Sequence, residues 1–395
     1  MRILYLSSVK PSHFKAYELV NKKYSIDGSV ISKKRNYSRQ YGKTIKQHEQ
    51  QGIRKYWNKF LLKTRICNKF SITKYFVNKI IVKENPDIVH ALGIDFWGFI
   101  SNEIQFNGKI IITVLGADLF RQPFTDQKVF RKTKKALHNA DIIHTPIGQK
   151  TIPFLKKHFN IPEEKIIAFP SYYDLTYIKN MVNGRIIDNF KMKYSLIKKD
   201  FIFYAPRGMR AKFKPIFTLI PAIKALCKDH PEMKFIIHLW GNEALKREFY
   251  SQVKKNKIGK NMVLIDRFLD FSEYINLLAL SDAIISFAED DMLGGPIIDA
   301  MYLEKPLLLS DIDIYRDFFK KNRTAILVKN YHEEDIILKI KYAYNNYSKL
   351  RKDTVVNRNS AVEEFGLDKS ILNYYNLYKS LMNTQKKEDQ IQENV

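Results

Sequence analysis

A chain of 395 residues, 45% hydrophobic and 13% aromatic, is too long for one ordinary core and too apolar to be a disordered polymer, so two domains are expected. No apolar run reaches the ~20 residues of a spanning helix, and the N-terminus lacks the apolar region and cleavage site of a signal peptide. Net charge is +26 and unevenly spread, with 33 Lys/Arg against 14 Asp/Glu in residues 1–190, while Cys67 and Cys227 match no metal or redox spacing and fit a reducing, cytoplasmic setting.

Strand-like apolar runs alternate with helix-length segments, the pattern of a parallel α/β architecture. In the first half the predicted strands are residues 2–6, 88–91, 109–115, 141–145 and 166–169. The stretch 43–83 has room for two helices. Between residues 33 and 83 fifteen basic residues meet one acid, Glu49, with Tyr37, Tyr41, Tyr56, Trp57 and Phe60 among them. An anionic membrane surface, nucleic acid or plain solvent would each suit such a segment. A polar stretch, 183–200, suits a linker. The same grammar then restarts with strands at 201–205, 234–239, 262–265, 283–287, 306–310 and 324–328. The last forty residues look helical, ending in a polar tail at 385–395.

Open parallel sheets bind ligands beyond the carboxyl ends of their strands, so the loops after the second series carry the candidate chemistry. After residue 205 comes a basic, glycine-containing loop with Arg207, Lys212 and Lys214, suited to phosphate oxygens. After residue 239 comes a turn containing Gly241 and Asn242. After residue 287, D-M-L-G-G-P-I-I-D runs from Asp291 to Asp299. Gly294 and Gly295 permit close backbone approach, and Pro296 suits the first turn of a helix whose N–H groups favour a diphosphate. Asp299 falls about one turn into that helix and Asp291 in the loop before it. The spacing alone also fits an ordinary strand–loop–helix connection.

This order resembles glycosyltransferase family 4, the "glycosyl transferases group 1" type, which carries a Gly-Arg…Lys-Gly loop, a Gly-rich turn and E-x-F-G-x-P-x-x-E-A. Segments of the first half are similar too: P-D-I-V-H ending at His90, T-V-L-G-A-D with Gly116 and Asp118, and F-P-S-Y-Y-D ending at Asp174. The resemblance spans about residues 1–375. It implies the GT-B fold, two facing Rossmann-like domains with parallel sheets and a cleft between them, and retention of anomeric configuration. It implies Asp291 near the transferred sugar, Asp299 on the ribose, and Arg207 with Lys214 on the diphosphate, Lys212 being the rival lysine. Gly294, Gly295, Gly241 and Asn242 would complete the donor site, with His13, His90, Gly116 and Asp118 on the acceptor side. As a lone strand-end histidine, His90 is more often structural than ligand-facing. Both motif glutamates are aspartates here, and Leu115 stands where many relatives carry histidine.

The expected domains are 1–190 on the acceptor side, 191–365 on the donor side, a helix 366–384 packing back toward the first, and the tail 385–395. The expected activity needs no cofactor or metal, and Asp311-Ile312-Asp313 is read as a chance likeness to a metal motif. Expected partners are a nucleotide-sugar donor, a lipid-linked or envelope-glycan acceptor, and an anionic membrane through 33–83, placing the protein on the inner face of the plasma membrane. Nucleic acid is not expected. A catalytically impaired scaffold and a basic nucleic-acid-binding protein are the rival readings.

Overall fold

The computed structural model describes residues 1–7, 11–32, 45–48, 69–170, 175–320, 323–329 and 331–393. Most of the basic segment 33–83 lies outside the described residues. The chain divides into two compact units, Met1–Tyr172 with Leu367–Val395, and Tyr173–Gly366.

The described strands of the first unit are β1 (Arg2–Ser7), β2 (Asp27–Ser32), β3 (Ile45–His48), β4 (Ile88–Leu92), β5 (Lys109–Thr113), β6 (Ile142–Thr145) and β7 (Ile166–Ala168). They pair in parallel in the order β3-β2-β1-β4-β5-β6-β7. Its helices up to the chain crossing are α1 (Pro11–Lys23), α2 (Lys69–Glu84), α3 (Phe96–Ser101), α4 (Ala117–Phe120), α5 (Gln127–Asn139) and α6 (Gly148–Phe159). β2 escaped the sequence reading because D-G-S-V-I-S carries few apolar residues. It pairs with β1 along its full length.

The second unit begins with α7 (Leu175–Met181) and α8 (Gly184–Lys193). Its strands are β8 (Phe201–Ala205), β9 (Met233–His238), β10 (Met262–Ile265), β11 (Ala283–Ser286), β12 (Leu307–Ser310) and β13 (Ile326–Val328), parallel in the order β10-β9-β8-β11-β12-β13. Between and after them come α9 (Leu219–Asp229), α10 (Glu243–Asn256), α11 (Phe271–Leu280), α12 (Gly295–Tyr302), α13 (Asp313–Phe318), α14 (Glu333–Asn345) and α15 (Tyr347–Phe365); α16 (Leu367–Glu393) returns to the first unit.

Three boundaries differ from expectation. The expected linker at 183–200 is largely the helix α8, and the unit boundary falls before α7 rather than at residue 190. Asn183 caps α8 through its side chain, its own N–H donates to Asn276 Oδ1 at 2.7 Å, and Phe190 is buried. These ties fasten 175–193 to α11, which outweighs the polarity that suggested a linker. The third is the tail, which continues α16 to Glu393.

Both faces of the central strands of the first sheet are covered, so β1 and β4 are buried at nearly every position rather than at alternate ones. On one face Ile88, Leu92, Ile3 and Tyr5 pack under α16 with Tyr374, Leu377 and Tyr378. His90 shares that face by strand periodicity. The expectation that it faces a ligand is therefore corrected: His90 is fully buried, its Nε2 lies 2.7 Å from Thr113 Oγ1, and its Nδ1 lies 3.0 Å from the Tyr378 hydroxyl. Thr113 Oγ1 continues to His144 Nδ1 at 3.1 Å, and His144 Nε2 reaches the Phe169 carbonyl at 3.1 Å. A carbonyl only accepts, so His144 Nε2 donates and its Nδ1 accepts from Thr113. Thr113 then accepts from His90 Nε2–H, and His90 Nδ1 accepts from Tyr378. One consistent chain results, with both imidazoles neutral.

Burial holds His90 well below the usual histidine value and His144 at about 4. A depressed histidine contributes stability that is present above pH 6.5 and lost as pH falls toward 4. For His144 the loss is about 3 kcal/mol. Urea midpoints at pH 7 and 4.5 are expected to fall further in the wild type than in His144→Gln. Equal falls would show that the chain of hydrogen bonds tolerates the imidazolium.

Candidate functional site

The loops after β8 and β9 are zipped together. Met209 N–H donates to the Trp240 carbonyl at 2.9 Å, and Asn242 N–H donates to the Met209 carbonyl at 2.8 Å. A Cβ on Gly208 would come within 2.1 Å of the Trp240 oxygen, and one on Gly241 (φ +143°) within 2.2 Å of the Met209 oxygen. Only glycine allows this approach. The Asn242 side chain accepts from Leu245 N–H and caps α10, so it secures the turn from the helix side. Beside this turn, exposed Trp240 and Phe268 meet edge-to-face at 5.6 Å.

Arg207 leaves the first of these loops and reaches the segment after β11. Its Nη2 donates to Asp291 Oδ2 at 2.6 Å, and its guanidinium lies 4.9 Å from the centre of the Phe213 ring. Asp291 Oδ2 also accepts from the Tyr315 hydroxyl at 2.6 Å and faces Gly294 N–H at 3.4 Å. Of the acids Glu289, Asp290 and Asp291, only Asp291 is buried, while Glu289 accepts from the Tyr331 hydroxyl. Gly294 is required by Arg207: a Cβ there would stand 2.7 Å from Nη2. Leu293 adopts φ 51°, a conformation a branched side chain rarely takes and one that loops hold at functional sites.

Helix α12 starts at Gly295 with Pro296 in its first turn and Gly294 as its cap residue. Asp299, one turn in, is buried and accepts from the Tyr274 hydroxyl of α11 at 2.8 Å through Oδ2. Its Oδ1 has no hydrogen-bond partner among the described residues. Burial pushes the carboxyl up to about 7, against the Tyr274 hydrogen bond and the Arg207 charge, which both pull it down. Arg207 thus serves both aspartates, one by contact and one through its field.

The structure therefore brings Arg207, Asp291, Gly294, Gly295 and Asp299 together, with the Gly241 turn tied to Arg207's loop. Lys214 is different: it is exposed on the 3-10 turn Ala211–Thr218 and is not within the buried cluster. The side chains of Lys212 and His13 lie outside the described residues. Gly116, at φ +120°, forms the turn into α4. Asp118 is nine-tenths buried and accepts from Ile94 N–H at 3.0 Å and Leu115 N–H at 2.9 Å, which tethers two strand-end turns. Burial still pushes its carboxyl up to about 6. Asp311 and Asp313 both accept from the Arg316 guanidinium, at 2.5 and 2.7 Å. Among the described residues no three His, Cys, Asp or Glu side chains form a metal-like group, and no helix is long and apolar enough to cross a membrane.

Sequence reasoning missed Tyr274 and Tyr315. Each hydroxyl meets a motif aspartate from a neighbouring helix. No local spacing announces either tyrosine.

Residues 187–359, holding this whole cluster, match the family model described as glycosyl transferases group 1. No curated protein matches the sequence. Among solved structures the chain is similar to a glycosyltransferase from Rickettsia africae ESF-5, with TM-score 0.76 and 18% identity over 96% of this chain and 98% of that one. It is similar to Anabaena HepE, solved with UDP and glucose, with TM-score 0.74 and 13% identity over 96% of this chain and 100% of that one. It also resembles sucrose-phosphate synthase from Thermosynechococcus elongatus, with TM-score 0.74 and 14% identity over 97% and 100%. At such identities the structural likeness concerns the fold. It gives the chain the fold of the GT-B type, while the family match covers residues 187–359, less than half of the sequence.

Proposed function

We infer that this protein moves a sugar, with retention, from a nucleoside diphosphate donor to a lipid-linked or envelope-glycan acceptor in bacterial surface-polysaccharide synthesis, working at the inner face of the plasma membrane. The observation that carries the donor half is Arg207 set between two buried aspartates at the strand ends of the second unit. The Anabaena neighbour, solved with UDP and UDP-glucose, supports a nucleoside diphosphate as the ligand class.

In this reading Asp299 Oδ1 accepts the ribose hydroxyls, and Trp240 with Phe268 offers an aromatic face to the base. Arg207, exposed Lys214 and the N–H groups at the start of α12 stabilise the charge that grows on the departing diphosphate, without need of a metal. Asp291 both anchors Arg207 and meets sugar hydroxyls. The basic residues of 33–83 hold the protein on anionic lipid.

A second reading is a donor-binding scaffold that transfers nothing. It draws on Asp291 being engaged by Arg207 and Tyr315 at once. Thermal midpoints with a panel of nucleoside diphosphates and sugar nucleotides test the first reading. Saturation at a hundredfold excess over Kd adds about 2.7 kcal/mol, a shift of several degrees. One donor is expected to raise the midpoint, and Arg207→Ala to abolish the rise. No rise with any donor would sink the transferase reading, whereas binding without turnover in any acceptor mixture would favour the scaffold.

A further inference from the structure

A surface of the first unit built from residues outside the range 33–83 has a composition of its own; it adjoins the described end of that range, where Lys132 lies 5.2 Å from the Phe70 ring. Helices α5 and α6 hold eight Lys/Arg and no Asp or Glu. The inward side of α5 is Thr133, Ala136 and Leu137, all buried. At helical spacing this leaves Lys128, Arg131, Lys132, Lys134 and Lys135 on one outward face, and all five are exposed. No carboxylate pairs with Lys128, Arg131, Lys134 or Lys135 among the described residues. Lysine richness in general does not produce this pattern. Helix α10 carries Glu243, paired with Lys246, and α14 opens on Glu333, Glu334 and Asp335.

An apolar tip stands beside the charged face. Phe124, on the 3-10 turn Gln122–Thr125 that leads into α5, is 49% exposed. Its ring is held from beneath by Phe130 at 5.6 Å, Phe154 at 5.8 Å and His158 at 5.6 Å. It is therefore a supported projection rather than a loose side chain. Asp126 is occupied in capping α5 through Lys128 and Val129 N–H, and Glu163 accepts from Lys156 of α6 at 2.8 Å, leaving the α5 cations without a carboxylate partner among the described residues.

The geometry points to this face as a docking surface for an anionic lipid bilayer. The cations would lie over the headgroups while Phe124 enters the boundary with the acyl chains. A row of cations alone would suit any polyanion. The supported aromatic ring selects a partner with an apolar layer beneath its charge. The inference rests on the membrane reading of the protein but not on the donor site, and it names residues other than those of 33–83.

The test is co-sedimentation of the full chain with phosphatidylcholine vesicles, with and without phosphatidylglycerol. Binding is expected only with the anionic lipid and to weaken as salt rises. Each exposed cation near the surface strengthens binding about fivefold, so Lys128→Glu/Arg131→Glu/Lys135→Glu is expected to lose more than tenfold. Phe124→Ser is expected to lose several-fold on vesicles but nothing on duplex DNA of comparable charge. Thermal midpoints with a nucleoside diphosphate should match the wild type in both variants, which shows that they fold and keeps the donor reading separate. Unchanged vesicle binding in either variant would overturn the inference. So would binding abolished by charge reversal at Lys55, Lys59 and Lys63 and untouched by the α5 changes, although the membrane reading itself would survive. Equal loss on DNA and vesicles in the Phe124 variant would instead identify a nonspecific polyanion surface.

Discussion

At pH 8, Asp299→Asn is expected to be more stable than the wild type by about 2–4 kcal/mol, although it loses its donor. Burial raises this carboxyl from the usual 3.8 to about 7, so the folded protein keeps a proton that the unfolded chain releases. A raised acid contributes stability that is fully present below pH 3.8 and lost as pH rises through 7. Above that point the folded state carries a desolvated carboxylate whose partners, Tyr274 and Arg207, offset only part of the cost. Asparagine keeps an acceptor for Tyr274 without the charge. Urea unfolding at pH 5 and pH 8 measures the effect, and the gap between variant and wild type should widen with pH. A gap independent of pH would mean that the carboxyl titrates normally and the burial argument fails. The same charge ties function to pH: donor affinity of the wild type should fall as pH drops below 7.

The opposite sign is expected at the other aspartate. Asp291→Ala should cost about 3–5 kcal/mol, the usual result of stripping one partner from a buried ion pair. Asp291 is 2% exposed and the Arg207 side chain 14%, so water replaces little of what is lost. Tyr315→Phe should cost less, about 1.5–3 kcal/mol, because it removes one hydrogen bond to a charged group. The double change Arg207→Met/Asp291→Leu is expected to recover much of the single-site loss, because no charge then remains buried. Chemical denaturation of the wild type, Arg207→Met, Asp291→Leu and the double variant completes the cycle. Additive losses would show that the two groups are not coupled, and a single loss below ~1 kcal/mol would show that the pair is solvated. Stability recovered in the double variant with donor binding absent would separate the structural role of the pair from its functional one.

These two carboxylates also show where legibility in the sequence stopped. Their spacing, the glycines between them and the proline at the helix start are local properties, and the structure puts Asp291 in contact with Arg207 and Asp299 within reach of its charge. Their opposite electrostatic states were not local. Asp291 meets a guanidinium and a tyrosine from distant segments, whereas Asp299 has a tyrosine and a thinner share of the same cation. His90 failed for a related reason. The motif P-D-I-V-H placed it at a strand end, but strand periodicity turned it beneath α16, a helix 288 residues away in sequence at Tyr378. Asp118 likewise sits at a strand end yet is consumed by backbone N–H groups.

What the residues alone determined was the alternation of strand and helix, two α/β units, the excess of positive charge in the first, and the strand-end loops that hold Arg207, Asp291 and Asp299. Each depends on neighbours within a few positions, through periodicity, glycine conformations and proline at a helix start. What only the tertiary structure decided was which of those polar groups is buried, what pairs with it, and that residues 175–193 fasten to the second unit. Burial and partnership depend on segments brought together across as many as hundreds of residues, and in a low-dielectric interior they set the charge state of every group that the chemistry would use.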